Sequence, residues 1–226
     1  MLKNAVKKTI HFFDLFKNKR DIKKYISNEK KPWSSGYQQS KFNFIQKILN
    51  DEAIMKKFES LQLLPDNFGY GYDERVVEYP GALSRLSSDK EKLLDAGSCF
   101  NYFEIINNIL LGNKNLTVFT LSPEGKSFLR KGISYVYGDL RKMLFKDNGF
   151  DSIYSISTLG HVGMDNRIYT KNNEKGKVGL EAEITIQELI RILKVGCKLL
   201  ISVVFGKHQL INYKGSLFAE QFNSKK

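Results

Sequence analysis

The sequence predicts an α/β fold with a mostly parallel sheet behind a helical, basic N-terminal extension, and three features carry that expectation. From Lys92 onward, short β-rich runs alternate with helical ones: LLDAG, a helix through Asn101 to Leu111, LTVFTL, ISYVYGD, DSIYSIST, a helix through Ile184 to Leu193, and KLLISVVF. Such alternation builds parallel strands joined by right-handed crossovers. Asp95 and Gly97 stand where the first strand turns into a helix, and ligands of such sheets sit at the carboxyl ends of the strands, beside the switch in strand order. Before Lys92 the apolar residues recur every three or four positions instead, the period of amphipathic helices. An extension over 1–87 and an α/β domain over 88–226 follow from that change of period.

In the extension, Leu2, Val6, Ile10, Phe13 and Leu15 or Phe16 form an apolar stripe between lysines, a basic helix expected to end near Ser27 to Pro32. Its apolar face suits an anionic membrane surface, or docking on the domain or a partner subunit, and periodicity alone does not separate the two. Phe42, Ile45, Ile48, Leu49, Ile54 and Phe58 predict a second helical segment up to Leu64-Pro65. Gly69-Tyr70-Gly71-Tyr72-Asp73 reads as a loop, and Val76 to Leu86 as a short helix interrupted near Pro80.

Composition narrows the function classes. Of the net charge of +12, residues 1–47 carry +9, so the remainder is nearly balanced. A nucleic-acid binder is therefore the least favoured class, since the basic stretch places few aromatic residues for base stacking. The longest apolar run, Leu199 to Phe205, falls far short of the ~18 residues of a membrane span. No secretory signal is legible at the start, where Asp14 interrupts the apolar part. Cys99 and Cys197 lie in no CxxC or Cys/His cluster, so neither a disulfide framework nor a zinc site is expected. A cytoplasmic location, peripheral to the membrane if the basic helix meets lipid, is the expectation. The turn after LLDAG is neither a dinucleotide GxGxxG nor a phosphate-binding GxxxxGK[ST].

Four pieces of the chain, in order, resemble the class I S-adenosylmethionine-dependent methyltransferases: Leu94-Asp95-Ala96-Gly97, Gly138-Asp139-Leu140, Phe150-Asp151-Ser152-Ile153, and Glu188 through Gly196. The resemblance covers about Lys92 to Gly206 and implies a Rossmann-like methyltransferase fold. More narrowly, YVYGDLRKMLFKDNGFDSIYSISTLGHVGMDNRIY is similar to methyltransferases associated with bacterial surface-polysaccharide gene sets. That similarity implies S-adenosyl-L-methionine as cofactor and a sugar or other small polar molecule, a glycan included, as acceptor.

Carried over by position, Asp95, Gly97 and Ser98 would shape the pocket for the methionine part of the cofactor. Asp139 would accept from the adenine amino group and Leu140 would pack on the ring, although Gly-Asp is also ordinary turn chemistry. Ser157, after strand four, completes the set. The chain departs from the family at Cys99 and Asn101, where further glycines are usual, and at Thr120, where an acid normally accepts from the ribose hydroxyls. Asn101 can adopt left-handed angles in place of a glycine. Glu124 is placed to reach the ribose instead, or to stand in solvent as a loop charge. In STLGHVGMDN, His161 is a candidate base with Asp165 as its orienting partner, while a lone loop histidine is often structural. No Asp/Asn-Pro-Pro-aromatic tetrapeptide follows strand four, which argues against methylation of base amines. Only 20 residues follow Gly206, too few plainly to supply the family's further helix and antiparallel strand pair, so a shortened end is expected. A non-catalytic protein of the same fold, acting as partner or scaffold, is the alternative reading.

Overall fold

The computed structural model describes residues 19–163 and 180–203, together with the backbone of 211–213 and 216–218. The chain divides into two compact units, Met1–Arg85 and Leu86–Lys226.

Unit 1 is helical. Helix α1 is described over 19–27, and the apolar stripe assigned to residues 2–16 lies outside the described residues. The expected single segment around Phe42 to Phe58 is two helices, α2 (Tyr37–Leu49) and α3 (Glu52–Glu59). Asp51 makes the break: its side chain accepts from Ile54 N at 3.1 Å and caps α3. Helix α4 (Arg75–Leu83) runs through Pro80 without the expected interruption. Pro80 stands in the second turn, where the bond it forfeits is the one to Val76, and Ser84 N still closes on Pro80 O at 2.8 Å. The core between these helices holds Tyr25, Tyr37, Ile45, Ile48, Val76, Tyr79 and Leu83, all buried.

Unit 2 is a five-stranded sheet of order β3-β2-β1-β4-β5, every pair parallel. Its strands are β1 (Lys92–Ala96), β2 (Asn115–Thr120), β3 (Ser134–Tyr137), β4 (Phe150–Ile156) and β5 (Leu193–Ser202). The order reverses at β1, which has β2 on one side and β4 on the other, so the crevice beyond Ala96 and Ile156 is the switch point of the sheet. The expected helix through Asn101 to Leu111 is instead two single turns, α5 (Phe103–Ile106) and α6 (Ile109–Gly112), because the Asn108 side chain accepts from Leu110 N and starts a new turn. Helix α7 (Leu180–Ile192) leads directly into β5. Leu193 pairs Phe150 and Lys198 pairs Ser152, so the Val195-Gly196 turn bulges from the ladder.

One apolar cluster unites Leu94, Ala96, Phe119, Phe150, Leu189 and Ile192. Arg191 fastens α7 to the loop before β4, donating to Met143 O and Phe145 O at 2.9 Å each while paired with Glu188 and Asp147. Beyond β5, β6 (Ile211–Tyr213) and β7 (Ser216–Phe218) form an antiparallel pair in a sheet of their own. The sequence predicts that this stretch cannot plainly supply both a further helix and a strand pair; of these, the strand pair is present, with three residues on each side.

Candidate functional site

The site is the rim of the sheet at its switch point, and Asp95 builds it from below. Its carboxylate, fully buried in β1, accepts from Cys99 N at 2.9 Å and Phe100 N at 2.8 Å. These bonds wind residues 97–101 into a tight turn, which begins with Gly97 N donating to Phe119 O at 2.8 Å. Burial pushes the Asp95 carboxyl up to about 6, against the pull of the two amides. Gly97 has φ 118°, and a side chain there would fall inside Thr158, which packs over it from the end of β4. The left-handed position expected at Asn101 is at Ser98, with φ 64°. Ser98 is 7% exposed, and among the described residues its hydroxyl makes no hydrogen bond.

Asn101 acts through its side chain instead. Buried, it donates to Glu124 Oε2 at 2.8 Å and Lys126 O at 3.2 Å, and accepts from Tyr135 Oη at 2.8 Å. Tyr135 Oη in turn accepts from Phe128 N at 2.9 Å. One amide thus ties together the turn after β1, the loop after β2 and strand β3. Glu124 lies in this tie rather than standing as an isolated loop charge. Thr120 ends β2 half-buried, its carbonyl accepting from Gly138 N at 3.0 Å.

Asp139 is held by Arg141, which donates to Oδ1 from both N and Nε at 2.9 Å and to Oδ2 from Nη2. The guanidinium keeps the Asp139 carboxyl below its ordinary range. Arg141 also reaches Glu181 at 2.9 Å on α7, and the Glu181 side chain fills the space beside Gly163. The loop after β3 is thereby linked to the loop after β4. Leu140 is 9% exposed and belongs to the apolar cluster, so little of its surface is open to a ligand.

Ser157, at φ 48°, donates its N–H to Ser202 O and Oγ at 3.0 Å each, closing β4 against β5. His161 is exposed on a 3-10 turn, with its N–H on Thr158 O at 2.9 Å. Asp165 lies outside the described residues. The structure therefore gathers Asp95, Gly97, Ser98, Thr120, Glu124 and Ser157 at the strand ends, with His161 joined to Gly97 through Thr158.

Three participants escaped the sequence reading. Asn101 was read for its backbone and serves through its amide; Tyr135 and Thr158 gave no signal beyond a strand aromatic and a loop hydroxyl. Among the described residues no three His, Cys, Asp or Glu side chains group as metal ligands, and no helix is long and apolar enough to cross a membrane.

Neither a protein-family profile nor a curated protein matches the sequence. Solved structures resemble parts of the chain. The PH0226 protein of Pyrococcus horikoshii aligns at 17% identity over 70% of this chain and 79% of its own, with a TM-score of 0.45. A SAM-dependent methyltransferase of Methanosarcina mazei aligns at 15% identity over 63% of this chain and 77% of its own, TM-score 0.42. The SpnF cyclase aligns at 13% identity over 76% of this chain and 63% of its own, TM-score 0.48. Coverage of such neighbours falls to 49% of their length, so several extend well beyond what this chain spans. Likeness at this level concerns fold alone. With the all-parallel order β3-β2-β1-β4-β5 on the page, unit 2 is a Rossmann-like α/β domain.

Proposed function

We propose that this chain is an S-adenosylmethionine-dependent methyltransferase acting on a sugar or other small polar acceptor. The observation that carries the reading is the turn at the switch point, wound by the Asp95 carboxylate and presenting the buried Ser98 hydroxyl, which makes no hydrogen bond among the described residues. A buried polar group without a partner costs about 1–3 kcal/mol, which a polar ligand at that turn would offset. The residues thus fit the cofactor at the turn: Ser98 and the 97–101 backbone would hold its amino-acid end, and Asp139 its adenine.

The cofactor supplies a methyl group activated by a positive sulfur. What this chain contributes is position and proton removal. His161, on the turn that Thr158 joins to Gly97, is the base proposed for an acceptor hydroxyl, with Asp165 orienting it. Thr158 and Glu181 fill the space beside Gly97 and Gly163. The sugar acceptor and a role in polysaccharide assembly rest on the resemblance of Tyr135 to Tyr169 alone.

Calorimetric titration of S-adenosylmethionine into the wild type, Ser98→Ala and Gly97→Val tests the reading. Saturable binding that weakens about tenfold in Ser98→Ala supports it; equal affinity in all three places any site elsewhere. A second reading, a non-catalytic partner or scaffold, is favoured by Thr120 in place of the ribose acid and by the tie of Glu124 to Asn101. It predicts a folded wild type that takes up no cofactor.

A further inference from the structure

Unit 1 contains a cavity of about 380 Å³ that the reading above does not use. The volume suits a small molecule, within the ~300–1,000 Å³ of ligand pockets. Four aromatic side chains line it, Phe44, Phe68, Tyr70 and Tyr72, and two lysines, Lys30 and Lys47, face it with them. The aromatic wall is fixed. Phe44 stacks on Tyr72 with centroids 5.2 Å apart and meets Phe68 at 5.6 Å, and Tyr72 Oη shares a hydrogen bond of 2.7 Å with Ser40 Oγ.

The loop carrying Tyr70 and Tyr72 is also anchored. Tyr25 Oη donates to Gly71 O, and Lys41 pairs with Asp73 at 2.6 Å, both of its members nearly buried. Gly71 has φ 87°, and a Cβ there would stand 2.8 Å from Lys30 Cβ, so the missing side chain lets Lys30 lie against the loop. Lys30 itself holds φ 55°, an uncommon backbone state for a non-glycine residue, with Nζ 5.8 Å from the centroid of the Tyr70 ring. Neither Lys30 nor Lys47 has an ion pair among the described residues. The acid that shares the cavity, Asp51, is engaged as the cap of α3 through Ile54 N. Two cations therefore meet an aromatic wall, and Asp51, the acid that lines the cavity with them, makes no ion pair with either among the described residues.

We propose that this cavity binds a phosphate monoester carried on a ring compound, the ring against the aromatic wall and the phosphate on Lys30 and Lys47. A compact dianion suits two ammonium groups, and a ring face, aromatic or pyranose, suits the wall. The proposal is independent of any chemistry at the sheet rim.

The test is titration of the full chain with phenyl phosphate, glucose 1-phosphate and inorganic phosphate, followed by calorimetry and by amide shifts of Gly69 and Gly71. At least one ester should saturate, bind at least about tenfold more tightly than inorganic phosphate, and move those two amides. Preference for phenyl phosphate would identify an aromatic ring, and preference for glucose 1-phosphate a sugar. The Lys30→Gln/Lys47→Gln variant should weaken the preferred ester about tenfold or more, and Tyr70→Ala should reduce its advantage over inorganic phosphate. Failure of both esters to saturate in folded wild type, parity with inorganic phosphate, or shifts that bypass Gly69 and Gly71 would each overturn the proposal. Indifference to the double lysine change would do the same.

Discussion

Asp95→Asn separates the architectural cost of the turn from any chemistry performed on it. The wild-type carboxyl is fully buried and held near 6 in the folded state, against 3.8 for a free aspartate. A folded-state value above the unfolded one means that the native chain binds the proton more strongly. The stability this group contributes is therefore fully present below about pH 4, falls as pH rises, and is gone once pH passes about 6. At ~1.4 kcal/mol per tenfold, the whole change is about 3 kcal/mol, of which about 2 kcal/mol falls between pH 4.5 and 6.5. The asparagine of the variant would not titrate and would keep one acceptor oxygen for the two amides that Asp95 now serves.

Urea unfolding followed by far-ultraviolet circular dichroism at several pH values across that range measures the effect. The wild type should lose about 2 kcal/mol relative to Asp95→Asn on going from pH 4.5 to 6.5. Asp139, Asp151 and Glu188, whose carboxyls are held low by Arg141, Lys194 and Arg191, act with the opposite sign, losing their stabilisation as pH falls through about 4.5 and below, equally in both proteins. Two stability curves running parallel over the interval would refute the argument that burial of this carboxylate governs the turn.

Asn101→Ala removes three hydrogen bonds, one of them to an exposed carboxylate that solvent screens, and should cost about 2 kcal/mol, seen as a lowered urea midpoint for unit 2. Gly97→Ala should destabilise by at least ~2 kcal/mol through both its backbone angle and its collision with Thr158; adding Thr158→Ala should restore part of that loss, and a thermal melt of the two variants decides. Arg141→Met should let the Asp139 carboxyl rise toward its ordinary range, read by carboxyl carbon NMR titration. Lys114→Met leaves Ser87 O and Asp89 O without the ammonium that now serves them from a fully buried side chain, and should cost about 3 kcal/mol by urea unfolding.

The parts of the fold legible in the sequence were those written in local pattern. KLLDA, NLTVFT and FDSIYSI are short apolar runs bounded by turn residues, and each is a strand; their parallel pairing followed from the helical stretches between them. Where one polar side chain overrode the pattern, the reading missed. Asp51 and Asn108 each cut a helical period by offering the backbone a cap, although both are residues that favour caps. Pro80 misled in the other direction, since a proline in the second turn costs a single hydrogen bond. At the site, the turn after β1 was legible because Asp95 and Gly97 are adjacent to it in sequence. The roles of Asn101 and Thr158 depend on partners 23 to 61 residues away and could be seen only once the chain was folded.

The departures from the glycine-rich loop are connected. A turn built on several glycines is shaped by backbone freedom and fixed by little else; this one has one glycine, one strained serine and two buried bonds from Asp95 to replace that freedom. Asn101 then supplies from its side chain what a glycine cannot, a fastening to the loop after β2 and to strand β3. The same substitution draws Glu124 toward the turn, four residues beyond Thr120, where no acid stands. Rigidity gained at the turn is thus coupled to the place of the nearest carboxylate, and Asn101→Ala tests both halves together. If Glu124 is to meet a ribose, releasing it from the amide should tighten cofactor binding even as the domain loses stability; weaker binding in that variant would mean that the fastening, not the carboxylate, is what the ligand requires.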